Sequence, residues 1–229
     1  WAGMKRTKEE FKTSFRHRTF GASFESEDYA FIDALDKPVA LWTNVLLEEG
    51  IHRNSLVHRK NVIEQHVMDL PDFNDKGAWA EKYADRLENI SEQSENLEEV
   101  KKILAKLKSQ DATNQYTIAI YEQVGALVEY NFKALKKIEA FDLAITADEE
   151  IKILFELQEL IQKFGTFRQE FEKVYSQSRI LNKPENYILD QDHHNHPANQ
   201  SVNFDWQFIS EILFLEKVNT HFKTKTVWQ

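Results

Sequence analysis

Along most of this chain apolar residues recur three and four positions apart, the spacing that lines one face of an α-helix. The clearest stripe is Leu97, Val100, Ile103, Leu104 and Leu107, beginning after Ser94. The stretch from Thr113 to Phe141 is longer and more apolar, with Ile120, Val124, Leu127, Val128, Leu135 and Ile138, and reads as a central helix. Beyond it, Ile151, Leu154, Leu157, Ile161, Phe164, Phe167, Phe171 and Val174 extend one face over many turns. Gly165 costs that helix about 1 kcal/mol relative to Ala and marks a bend or a close approach. Thr146 with Glu149, and Thr7 with Glu10, form capping boxes, in which hydroxyl and carboxylate satisfy the free amides of a helix start.

The N-terminal third predicts shorter elements. Phe11 and Phe15 share one face of a first helix, which Gly21 stops in the left-handed conformation. Ser26 caps a second helix carrying Tyr29, Phe31, Ile32 and Leu35. Pro38 suits the first turn of a third, with Leu41, Trp42, Val45 and Leu46, ending near Gly50. Between Ser55 and Leu70 the positions of Val62, Ile63 and Val67 predict another helix, broken at Pro71. Asp75 is placed to cap a helix with Trp79, Tyr83, Leu87 and Ile90. A polar, proline-containing stretch from Ser178 to Gln200 precedes a last helix from about Asn203 to Phe222, with Trp206, Ile209, Leu213 and Val218 facing inward.

Alternating strand patterns are almost missing, so the expected class is all-α: a multi-helix bundle with long amphipathic helices and a polar His-rich loop before the last one. Residues 1–229 read as a single helical domain. A subdivision near 71–75 would separate a short-helix region, 1–70, from a long-helix bundle, 76–229.

Composition adds a core of unusual chemistry: 16 Phe, 7 Tyr and 5 Trp supply large rings to fill the spaces between helices. A net charge of −9 argues against nucleic-acid binding, which needs clustered Lys and Arg, and Lys101, Lys102, Lys106 and Lys108 lie among acidic neighbours. Without Cys, thiol nucleophiles, zinc–thiolate sites and disulfides are all excluded. No apolar run approaches the roughly 20 residues that cross a bilayer, so membrane insertion is not expected. The first residue is Trp1 rather than Met, which fits a processed chain or an excised piece.

The most conspicuous chemical cluster is Asp190, Asp192, His193, His194 and His196. Imidazole and carboxylate are good ligands for zinc and related divalent ions. Adjacent loop residues usually diverge, however, and no two of the His stand four apart as on a zinc-binding helix, so turn formation or contact with another domain competes with a metal site. A metal-dependent enzyme built on that loop is the least favoured reading, and no other cofactor is expected. Glu48, Glu49, His52, Arg53, His58 and Arg59 surround the turn at Gly50, where helix-end solvation is a more economical account than proton transfer. His66 sits among Ile63, Val67 and Leu70 as a partly buried, hydrogen-bonded residue, and His17 reads as surface. Trp42, Trp79, Tyr83 and Trp206 keep helical spacing and read as core rather than sugar-stacking rings.

The opening Trp1-Ala2-Gly3, followed by Lys5 through Phe11 and then Phe20-Gly21, resembles the end of the catalytic barrel in family 20 glycoside hydrolases, the β-N-acetylhexosaminidase-like enzymes. There a Trp near the last strand is followed by a helix of Glu-Glu-Phe character. Ala40 to Asn54 and Asp190 to Trp206 look like the helical C-terminal extension of some such enzymes. The resemblance implies that the catalytic Asp–Glu pair lies upstream of Trp1, so that no residue here inherits it. Trp1 would be at most a sugar-facing residue at the substrate edge. It implies an accessory role beside an upstream catalytic domain of the same polypeptide, and a secreted or periplasmic location. An independent helical protein-binding or scaffold domain is the alternative, and a homo-oligomer fits either.

Overall fold

A computed structural model of the chain describes residues 6–21, 30–52, 60–109, 114–177 and 208–222. Among these residues the fold is all-α, with eight helices in a bundle and no strand: α1 (Lys8–Phe20), α2 (Ala30–Trp42), α3 (Lys60–Glu64), α4 (Ala78–Lys82), α5 (Ala84–Ser109), α6 (Gln115–Leu143), α7 (Ala147–Tyr175) and α8 (Ile209–Phe222). The expected bundle of long amphipathic helices is what the chain forms.

Both capping boxes are made: the Thr7 and Thr146 hydroxyls accept from the amides of Glu10 and Glu149, whose carboxylates reach back to the cap amides. α1 ends at Gly21 with φ 120° and ψ 151°, a positive-φ conformation but not the left-handed helical one expected there. The predicted break before Pro38 does not occur, because α2 runs through it. An interior proline removes one backbone bond and crowds the preceding turn. Burial of Phe31 and Leu35 offsets that loss, with the Phe31 ring 5.1 Å from Tyr121 of α6.

Of the segment expected to be helical from Ser55 to Leu70, the described part, from Lys60 onward, is helical over α3 and no further. It then leaves the helix to form an antiparallel bridge, Leu47 opposite Val67, in which Glu48 N–H donates to His66 O at 2.9 Å and Met68 N–H to Leu46 O at 3.0 Å. The bridge buries Leu47, Val67 and Met68, which a continued helix would not bring together. The start of α4 also differs from expectation. Its N-cap is Gly77, in the left-handed conformation at φ 85°, rather than Asp75. The capping carboxylate comes instead from the end of α6, where Asp142 Oδ2 accepts from Ala80 N–H at 2.9 Å.

Of the stripe expected before Ser94, Trp79 lies in α4 and Tyr83 caps its end, while Leu87 and Ile90 share one helix, α5, with the stripe that follows Ser94. Ser91 and Ser94 donate to Leu87 O and Ile90 O at 3.0 and 2.7 Å, so neither hydroxyl competes for the chain as a helix start. α7 likewise continues through Gly165, where an added Cβ would meet nothing within 4 Å, so the glycine marks no close approach.

α2 packs on α5 and α6, α6 lies between α5 and α7, and α8 rests against α3 and α7. One core cluster joins residues on both sides of 71–75. Aromatic rings fill it. Phe141 meets Phe222 at 4.9 Å and Phe73 at 5.9 Å, while Phe208 is held edge-on by Phe164, Phe167 and Phe171. Trp79 and Tyr83 are buried as expected, and Trp42 is only partly so.

Candidate functional site

Trp1, Asp190, Asp192, His193, His194 and His196 lie outside the described residues, as do Arg53, His58, Arg59 and Trp206. Of the cluster around Gly50, the structure places Glu48, Glu49 and His52. Glu49 pairs at 2.7 Å with Arg86 of α5, a residue the pattern of the sequence did not single out. The Arg86 guanidinium also donates to the carbonyls of Val45 and Leu47, and its side chain is 10% exposed. It therefore fastens the turn after α2 to α5. The cleft alongside, about 620 Å³, is walled by Leu41, Asn44, His52, Tyr83 and Asp85. His66 is partly buried as expected, but its Nδ1 makes no hydrogen bond and stands 3.6 Å from Glu48. His17 is exposed.

A second polar group is buried in the bundle. Glu211 of α8, 1% exposed, accepts at one carboxylate oxygen from the Trp42 indole at 2.9 Å and from the Asn131 amide at 3.1 Å. Its other oxygen has no hydrogen-bond partner. Burial, and then the Glu211 charge, push the Tyr130 hydroxyl above its ordinary range, so Tyr130 stays neutral and donates to Leu160 O at 2.9 Å. Three helices, α2, α6 and α8, are thus keyed together by one carboxylate. Sequence reading missed it because Glu211 sits in an otherwise apolar run, where the helical period alone does not say which position tolerates a charge.

The same helix latches the segment around Pro71. Lys217 donates to Val67 O at 2.9 Å, and one turn later His221 Nε2 lies 2.9 Å from Pro71 O, its ring stacked on Phe73 at 4.7 Å. Burial lowers the His221 pKa, which favours a neutral ring donating through Nε2.

Among the described residues, open apolar surface is found in two places. On α1, Phe11 and Phe15 stack at 6.5 Å and are 54% and 52% exposed, and Phe20 is the helix's buried residue. α1 is tied to the bundle by Phe20 against Phe31 and by Arg16 to Asp33 at 3.9 Å. The other place is the α6–α7 corner, where Leu143, Ile145, Ile151 and Phe155 are exposed.

No helix among the described residues is long and apolar enough to cross a membrane, and no group of three or more His, Asp or Glu among them is placed to hold a metal ion. Comparison of the chain with protein-family models, curated proteins and solved structures finds no match.

Proposed function

We propose that this chain is a non-catalytic C-terminal helical domain of a carbohydrate-active enzyme, a glycoside hydrolase acting on N-acetylhexosamine-containing glycans, and that it braces the catalytic barrel or its assembly. The observation that carries this reading is α1. The resemblance implies that a Glu-Glu-Phe helix belongs beside the last barrel strand. α1 holds Glu9, Glu10 and Phe11, stands at the margin of the bundle, and leaves the Phe11–Phe15 face uncovered. The described helices share one core, as a domain that supports a neighbour must.

The test is to express the product of the complete reading frame and, separately, residues 1–229, and to assay both on an aryl N-acetylglucosaminide. Activity in the longer product and none in residues 1–229 is expected. Enzyme-like rates from residues 1–229, or a reading frame with no carbohydrate-active domain before Trp1, would overturn the proposal. The exposed α6–α7 corner favours the second reading, an independent binding or scaffold domain, since open patches of this kind mark protein contacts.

A further inference from the structure

We infer that α1 docks through Lys8, Phe11, Phe15 and Arg18 into an apolar groove bordered by carboxylates at both ends, on the neighbouring catalytic domain; the identity of that neighbour rests on the function proposed above. These four residues recur at three, four and three positions and share one face of α1. The two central rings are already stacked, so little ordering remains when they are covered.

α1 is held to the bundle by few contacts. It is 13 residues long and its buried residue is Phe20, whereas isolated helices shorter than about 12–15 residues are marginal in water. The end charges set the partner's chemistry. Lys12 is engaged by Glu9 at 3.7 Å and Arg16 by Asp33, but Lys8 and Arg18 have no ion pair among the described residues. Lys8 also stands in the first turn, where the helix dipole disfavours a cation. A carboxylate facing it relieves that penalty, and a second facing Arg18 fixes the register of the helix along the groove.

The experiment is hydrogen exchange of residues 8–20 in the product of the complete reading frame, for wild type, K8E/R18E, F11D/F15D and the conservative K8R/R18K, and in residues 1–229 alone. Slow exchange is expected in the long wild-type product and in K8R/R18K, with exchange faster by about fivefold to tenfold in K8E/R18E, the scale of two partly exposed ion pairs. If K8E/R18E fails to fold, wild type taken to ~1 M salt, where the screening length falls to about 3 Å, must show the same loosening. Exchange that is slow in the long product, fast in F11D/F15D and indifferent to K8E/R18E and to salt would overturn the carboxylate groove while leaving the proposed function standing. Equally slow exchange in residues 1–229 would overturn both. Binding of residues 1–229 to phosphatidylserine vesicles, lost in K8E/R18E, would assign the face to a membrane instead.

Discussion

α1 and α7 begin alike and end differently. Each opens with a Thr–Glu capping box and carries phenylalanines at helical spacing, and in each the glutamate is held below its usual carboxylate range, chiefly by the cap threonine's amide. α7 then buries Leu154, Leu157, Phe164 and Phe171 against its neighbours, whereas α1 buries Phe20. Capping chemistry is local and specifies where a helix starts. Whether the helix is held depends on what its apolar face meets, and among the described residues Phe11 and Phe15 of α1 stay about half exposed.

The sharpest way to break this comparison is to cut one ring from each helix. Phe164, 6% exposed, packs on Tyr130, Phe167 and Phe208, so Phe164→Ala is expected to cost about 3–5 kcal/mol in urea unfolding of residues 1–229. Phe15→Ala in the same chain is expected to change stability by no more than about 0.5 kcal/mol. Equal losses would mean that α1 is packed as α7 is.

The polar anchors of the two regions differ in the same sense. Glu211→Ala leaves the Trp42 and Asn131 donors buried without an acceptor and is expected to cost about 1–3 kcal/mol. Glu211→Gln keeps the accepting oxygen and is expected to stay within about 1 kcal/mol of wild type. Asp33→Ala breaks its ion pair with Arg16 from the exposed side, the Asp33 side chain being 71% exposed, and a loss below about 1 kcal/mol is expected. A Glu211→Ala variant as stable as Asp33→Ala would show that the buried carboxylate does not key the helices.

How much of this was legible follows from the range of each interaction. The capping boxes at Thr7 and Thr146, and the stripes from Leu97 and Ile151, are local, and the chain displays them directly. Pro38 misled because a local penalty was outweighed by burial of Phe31 and Leu35 from distant elements. Asp75 misled for a related reason: the carboxylate that caps α4 is Asp142, more than sixty positions away in sequence. Val67 was read into a helix because its spacing fits one, while its bridge to Leu47 depends on where α2 ends. Arg86 and Glu211 were passed over because one sequence shows the charge and not the carbonyls or donors that hold it. Exposure of Phe11 and Phe15 was equally hidden, since a stripe states which face is apolar and not whether anything covers it.

The smallest expected effect compares the caps themselves. Thr146→Ala removes the acceptor for the Glu149 amide and should cost about 1 kcal/mol in global unfolding, because α7 is part of the cooperative core. Thr7→Ala makes the same local change at Glu10, yet in residues 1–229 it should leave the unfolding midpoint unmoved and speed amide exchange within α1 alone. The glutamates add a pH arm. Both carboxylates have folded pKa values below their unfolded ones, so their contribution is present above the ordinary carboxylate range and lost as pH falls through the folded value. The Glu149→Ala difference from wild type should therefore shrink on acidification, whereas Glu10→Ala should show no difference in global stability at any pH. A pH-dependent global loss in Glu10→Ala would place α1 in the cooperative unit with α7, and the contrast between the two helices would then fail at its base.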